Sequence, residues 1–239
     1  MTTDELIARY RLLADDATEF YRFEDDQVKE LLLEAEQEAA VRGRLIHESQ
    51  DATICHIAVT AGTEVYPLSQ LLYELTHVAF VDANGGRHAV KLVSTEALDG
   101  AREDLSRLIP PSGDDYDIDT GREDWRDSSG TVPLYAVQTD RKLRLTPTPT
   151  DDGTLALEGY RLPTRGVDDD PEISAIHHRH LVQWVIYRRF WIVDEDYFDG
   201  QRAAAALREF EQYFGARPDS DLRRITRHDT HHHVEAFFL

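Results

Sequence analysis

The chain has 239 residues, with 46 acidic and 26 basic side chains and a formal net charge of −20. This charge argues against a protein that wraps nucleic acid, because phosphate binding needs clustered Lys and Arg. No apolar run approaches the roughly 20 residues that a membrane-spanning helix requires. A single cysteine, Cys55, excludes an internal disulfide and a cysteine-based zinc site. The basic residues are nearly all Arg, which is typical either of a GC-rich genome or of a salt-adapted host; both explanations stay open.

Residues 1–50 are predicted to form two helices. Thr3 can cap the first helix, in which apolar residues recur at helical spacing: Leu6, Ile7, Tyr10 and Leu13. The second helix begins at Asp25-Asp26 and runs to about His47. It carries one apolar stripe, and we expect its acidic residues to occupy the remaining, solvated surface: Glu24, Glu30, Glu34, Glu36 and Glu38.

Residues 51–165 are predicted to form an inserted β-rich domain, because the apolar period changes from 3.6 to 2 at about residue 52. Asn84-Gly85 indicates a hairpin turn, since both residues tolerate positive φ. Leu134–Thr139 and Lys142–Thr146 are predicted to form a second hairpin. Residues 112–132 are polar, acidic and contain glycine, which is typical of a surface loop.

Residues 166–215 are predicted to form two further helices, from His177 to Val193 and from Ala203 to Tyr213. Residues 216–239 are predicted to form an extended C-terminal arm, because no amphipathic period follows Pro218. The sequence therefore predicts an α+β protein in which the N- and C-terminal helices form a bundle, with the β-rich domain inserted between them.

The sequence contains none of the common catalytic or nucleotide-binding motifs, and we expect no catalytic residue, cofactor or metal. Two histidine clusters leave an alternative open. His177 and His180 could share a helix face and, with Glu172, hold the metal of an enzyme such as a nuclease; partly buried or interface histidines are the simpler interpretation. The tail contains a second cluster, His228, His231, His232 and His233. These histidines could bind a metal, or they could instead make polar contacts.

Short motifs in a fixed order provide the strongest indication of function. They are Arg9-x-x-Leu12-Leu13-x-Asp15-Asp16, Glu34-Ala35-Glu36-x-Glu38-Ala39, Trp125-Arg126, Gly130-Thr131-x-Pro133-x-Tyr135, Leu143-Arg144-Leu145-x-Pro147-x-Pro149, Tyr160-Arg161-Leu162-Pro163, Pro171-Glu172-Ile173 and Glu209-Phe210-Glu211-x-x-Phe214-Gly215. In this order the chain, over roughly residues 4 to 227, resembles the head-to-tail adaptor proteins of short-tailed viruses, the tail tubular protein A group.

The resemblance implies a structural, non-enzymatic protein of the virion, made in the host cytoplasm and located at the head–tail junction. Members of this family form a ring, usually of about twelve copies, below the portal. DNA passes through the ring during ejection without specific binding. The expected partners are therefore further copies of the chain, the portal protein and the next tail component, a nozzle or tail tube. No membrane partner is expected.

Two sets of residues are predicted to serve such a ring. Glu30, Glu34 and Glu38 are expected to face the channel, where carboxylates repel DNA phosphate. Contacts to the portal or to other subunits are expected from arginines and from the apolar chain end, at Arg223, Arg224, Arg227, Phe237, Phe238 and Leu239, with Arg188 and Arg189 as further candidates. An acidic module that mimics DNA and binds a basic protein is the remaining alternative.

Overall fold

The structure, a computed structural model, describes residues 1–18, 21–95, 98, 125–139, 141–192 and 198–217, and it contains two compact units. Unit 1 comprises Met1–Glu48, Leu71–Glu74 and the described residues from Gly159 onward. Unit 2 comprises Ser49–Gln70 and the described residues of Leu75–Glu158. Helices lie at both ends of the described chain and a mixed sheet lies between them in sequence, which confirms the predicted α+β class.

The helices of the described residues are α1 (Thr3–Ala14), α2 (Asp25–Gly43), α3 (Ala52–Cys55), α4 (Ala175–Phe190) and α5 (Gly200–Phe214). All but the one-turn α3 belong to unit 1. Thr2, rather than Thr3, caps α1: its hydroxyl accepts a hydrogen bond from the Glu5 amide at 3.2 Å, and the Glu5 carboxylate accepts one from the Thr2 amide at 3.1 Å. Helix α2 ends at Gly43, four residues earlier than predicted, because Arg44 adopts a left-handed conformation with φ of 50°.

The core of unit 1 lies between helices α1, α2, α4 and α5. Each helix contributes one apolar stripe, and the fully buried members include Leu6, Tyr10, Leu32, Leu181 and Phe210. Burial of one such side chain contributes on the order of 1.5–3 kcal/mol. This packing holds the N-terminal and C-terminal helices in one bundle, as the sequence predicts.

The strands are β1 (His47–Glu48), β2 (His56–Val59), β3 (Val65–Pro67), β4 (Leu72–Asp82), β5 (Arg87–Leu92), β6 (Ser129–Gly130), β7 (Tyr135–Thr139), β8 (Lys142–Thr146), β9 (Thr148–Pro149) and β10 (Gly153–Arg161). The main sheet has the order β1-β10-β4-β5-β7-β8-β3, with β2 paired to β10; β6 and β9 form a separate two-stranded sheet. In the main sheet β5 and β7 pair in parallel, whereas β4–β5 and β7–β8 are antiparallel.

Both predicted hairpins are present. Strands β4 and β5 meet at a turn in which the Asp82 carboxylate accepts hydrogen bonds from the amides of Asn84 and Gly86, at 2.8 and 2.9 Å, while Gly85 has φ of 83°. Strands β7 and β8 pair from Tyr135 opposite Thr146 to Thr139 opposite Lys142.

The β-strand pattern of alternating apolar and polar residues, predicted to begin at about residue 52, starts later. Residues 52–55 form helix α3 instead, because the Asp51 carboxylate caps them by accepting from the Thr53 amide at 2.8 Å. The extended arm predicted for residues 216–239 falls outside the described residues from position 218 onward.

Candidate assembly surfaces

The predicted channel-facing acids lie on helix α2 at intervals of four residues, which brings Glu30, Glu34 and Glu38 to one side of it. Glu30 lies opposite the buried stripe of Val28, Leu32, Ala35 and Ala39, whereas Glu38 borders that stripe and its side chain is only 16% exposed. Glu30 is exposed and forms no ion pair with any described residue.

The other two carboxylates of this surface are partly neutralised. Glu34 lies 3.3 Å from the Arg188 guanidinium, and both side chains are partly exposed. Glu38 pairs with Arg42 at 3.2 Å and with Arg217 at 3.5 Å. The Glu34–Arg188 pair, which water screens, contributes about 0–1 kcal/mol. The Glu38–Arg42 pair is screened less, because its side chains are only 16% and 6% exposed. These pairs also reduce the negative field of the helix, so Glu30 carries most of the uncompensated charge on this side.

Glu36 does not belong to this solvated surface, and the prediction that it does is wrong. Its side chain is fully buried and forms an ion pair with Arg165, which is also buried. The Glu36 carboxylate accepts hydrogen bonds from the amides of Glu172 and Ile173, at 2.6 and 3.0 Å. Arg165 donates in addition to the Asp169 carbonyl at 2.7 Å. This pair therefore fixes the segment that precedes helix α4 to helix α2.

A second ion pair orders the same segment. Arg161 pairs with Glu172, and its Nε donates to Glu48 at 3.0 Å. The hydrogen bond from Arg161 lowers the pKa of Glu172, with a further contribution from the Thr164 amide. Glu172 is therefore engaged as a structural carboxylate, although sequence reasoning considered it as a metal ligand.

The histidines at the start of helix α4 make contacts within unit 1. His178 is buried, and its two ring nitrogens lie 2.8 Å from the Met1 carbonyl and 2.7 Å from the Ile173 carbonyl. His177 Nδ1 lies 3.1 Å from the Tyr213 hydroxyl, and the His180 ring stacks on Tyr213 with centroids 3.5 Å apart. Burial lowers the pKa of both His177 and His180.

The described part of the chain contains no cluster of three or more His, Cys, Asp or Glu side chains that could hold a metal ion. In particular, the structure does not bring Glu172, His177 and His180 together as a ligand set. The tail histidines and the predicted contact residues from Arg223 to Leu239 lie outside the described residues.

Arg189, one of the further arginines considered for subunit contacts, is buried instead. Only 1% of its surface is exposed, and its guanidinium lies over the rings of Phe190 and Phe23, with 4.6 and 5.7 Å to the centroids. Burial raises the pKa of the neighbouring Tyr10 to about 12, and the charge of Arg189 opposes this shift. Arg189 follows Val182 and Val185 at helical spacing, so this periodicity could have identified it as a core residue. Arg188 remains at the surface.

Comparison with known proteins gives one family. The model of the family described as "SU10 adaptor protein" matches residues 1–231. No curated protein matches the chain. Each helix that the structure describes is too short or too polar to span a bilayer.

Proposed function

The chain belongs to the SU10 adaptor protein family, and from this premise we propose that it is a head-to-tail adaptor that forms a ring of about twelve copies below the portal of a tailed virus. The family gives it the structural role of a viral adaptor and agrees with the predicted resemblance to the head-to-tail adaptors of tailed viruses. The observation that carries the proposal is the extent of this match, which spans both units and reaches residue 231 of 239.

The charge of the chain supports passage of DNA through such a ring. Each copy has a net charge of −20, and Glu30 is exposed without a described cationic partner. We propose that Glu30, Glu34 and Glu38 of all copies line the channel. A ring of carboxylates repels phosphate and avoids deep binding wells along the path of the DNA.

We propose that the C-terminal arm attaches the ring to the portal. Arg223, Arg224 and Arg227 would pair with acidic groups of the portal, and the apolar chain end would be buried there. Two Phe and one Leu, Phe237, Phe238 and Leu239, contribute on the order of 5 kcal/mol when fully buried. The cost of ordering the arm offsets much of this.

We further propose that residues 51–165 act as a separate domain that contacts the next tail component or neighbouring subunits. The hairpins and mixed sheet of unit 2 support this assignment, because they form a compact unit with its own buried side chains, such as Phe80, Leu143 and Leu155.

The proposal is tested by mixing the purified chain with its portal protein over a range of salt concentrations and analysing the complexes by sedimentation. We expect a stable complex with a ratio of about one adaptor per portal subunit. If the two proteins fail to associate at every salt concentration, the adaptor position proposed here is wrong. A monomer or dimer that binds a basic protein instead would favour the DNA-mimic alternative.

A further inference from the structure

One side of the sheet in unit 2 carries basic side chains at alternate strand positions. They are Arg87 and Lys91 on β5 and Lys142 and Arg144 on β8. Lys91 lies opposite Tyr135 of β7, and the residues opposite Arg144 and Lys142 are the next two alternate positions of that strand. Residues that face each other in register point to the same side of a sheet. The four basic side chains therefore share one side, which we call the basic face.

The basic face is the outer surface of these strands. The residues that alternate with it are buried in the core of unit 2: Val90, Ala136, Leu143 and Leu145. On the basic face itself, Arg87, Lys91 and Lys142 are exposed. This side of the sheet is therefore accessible to a partner.

The basic face has an excess of positive charge in a chain that is acidic elsewhere. None of the residues of β3, β5, β7 and β8 is acidic, although 46 of the 239 residues of the chain are. Arg144 is paired with Glu64 at 2.8 Å and Arg87 with Glu158 at 3.2 Å, whereas the two lysines form no ion pair with any described residue. With the turn between β7 and β8 included, residues 134–146 contain three basic residues and one acidic residue.

Exposed apolar side chains lie among these charges. Val65 of β3 lies opposite Arg144 and is 39% exposed, and Tyr135 of β7 lies opposite Lys91 and is 37% exposed. Leu134, directly before β7, is also exposed. Within the described part of unit 2, these three are the exposed large apolar residues. Aromatic and arginine side chains are enriched at protein interfaces, so this composition favours a contact with another protein.

We propose that the basic face of each copy binds an acidic surface of the next copy in the ring. The inference rests on the proposed ring and deepens it, because a closed ring of identical subunits needs two different, complementary surfaces on each subunit. The chain has a net charge of −20 although this face is positive, so the rest of each copy is more negative still. A second copy therefore supplies the carboxylates that the basic face can pair with.

Electrostatics favours this occupant. Copies with a charge of −20 repel one another, and a contact between them is least unfavourable where a positive area of one meets a negative area of the next. The face offsets only part of the repulsion, so added salt still promotes association. Duplex DNA fits less well, because its binding draws on many clustered cations and the face has two lysines without a described partner.

The lysines allow a direct test, because the chain has only three: Lys29, Lys91 and Lys142. Isotope-labelled and unlabelled chains are mixed at high concentration in high salt, with and without the portal protein. A carbodiimide then joins amines to carboxylates that are in contact, and mass spectrometry identifies the linked peptides. A link between a labelled and an unlabelled peptide reports contact between copies. Lys29 is the internal control, since it pairs with Asp168 of its own copy at 2.8 Å.

We expect links between copies at Lys91 and Lys142, and links within one copy at Lys29. If the two lysines of the basic face give no links between copies, or link only to the portal, the proposed contact is wrong. Portal binding is measured on the same samples and separates the contact from the function. Binding that persists without the links leaves the adaptor function standing, whereas links between copies without portal binding support the contact and contradict the function.

Reversal of the charge provides a second measurement. Lys91→Glu/Lys142→Glu is expected to raise the concentration needed for self-association about tenfold or more, with unchanged circular dichroism and thermal unfolding. Arg9→Glu/Arg208→Glu changes the net charge by the same amount at exposed positions of unit 1 and is the matched control. Its effect is expected to be smaller, because it adds only to the general repulsion between copies. Equal effects of the two double variants would contradict the contact.

Binding of duplex DNA is measured by fluorescence anisotropy at low salt. We expect none for the unmodified chain, because its net charge repels phosphate. DNA binding that is present in the unmodified chain and lost in Lys91→Glu/Lys142→Glu would assign the basic face to nucleic acid and overturn the proposal.

Discussion

Loss of the buried Glu36–Arg165 pair is predicted to destabilise unit 1 far more than loss of a solvated pair on the same helix. Glu36 is fully buried, and the side chain of Arg165 is only 4% exposed. Glu36→Gln keeps an oxygen for the amides of Glu172 and Ile173 but leaves the Arg165 charge uncompensated. Removal of one partner of a buried ion pair costs about 3–5 kcal/mol. Domains are typically stable by only about 5–15 kcal/mol, so this loss is severe.

The matched control is Glu34→Gln, two residues earlier on the same helix. Glu34 pairs with Arg188, but the two side chains are 37% and 45% exposed. Water and salt screen such a pair, and its loss is expected to cost less than about 1 kcal/mol. The two substitutions change the same chemical group, so the difference between them reports burial together with the two backbone hydrogen bonds that Glu36 accepts.

The free energy of unfolding is measured by urea titration at pH 7, followed by circular dichroism at 222 nm. This signal reports mainly unit 1, which holds the four long helices of the described residues. Arg165→Met and the Glu36→Gln/Arg165→Met double variant complete a thermodynamic cycle, and the double variant is expected to cost less than the sum of the singles. If Glu36→Gln is no more destabilising than Glu34→Gln, the assigned burial of this pair is wrong.

Three further predictions concern pH, salt and the chain end. The free energy of unfolding is expected to fall as the pH drops below about 6.5. The pKa values of His177 and His180 are lowered in the folded protein, so the unfolded chain binds more protons in this range. The double variant His177→Gln/His180→Gln should flatten the loss of stability seen in thermal melts at pH 5 to 7. Low ionic strength is expected to weaken self-association measured by light scattering, because the clustered carboxylates repel one another less when salt screens them. Glu30→Gln should reduce this dependence on salt. Association that does not change with salt would argue against the clustering of these carboxylates in the ring. Deletion of residues 228–239 is expected to leave the melting temperature unchanged and to weaken portal binding; unfolding, or binding with unchanged affinity, would contradict the docking arm.

Most elements of the bundle and sheet could be predicted because their apolar residues recur with a clear period. The hairpin at Asn84-Gly85 followed from the conformational freedom of its two turn residues. The sequence pattern did not predict helix α3. The cap provided by a single side chain, Asp51, favours a helical turn although the short segment alternates like a strand.

The burial of two charged residues, Glu36 and Arg189, was harder to predict from the sequence than the helices and strands. Glu36 lies one turn after Leu32 and one turn before Ala40 on the buried face of α2, where Arg165, 129 residues away, supplies its partner. Periodicity within one helix carries no information on such a partner. Arg189 has the spacing of a core residue, but its charge suggests the surface; the aromatic rings of Phe23 and Phe190 that cover it come together only in the folded bundle.

The central claim is tested most directly by electron cryo-microscopy of the chain assembled on its portal. The account predicts a closed ring of about twelve copies attached to the portal, with Glu30 of every copy facing the channel. An assembled particle in which the chain forms no ring, or in which Glu30 points to the outer surface while the channel is lined by other residues, would contradict it.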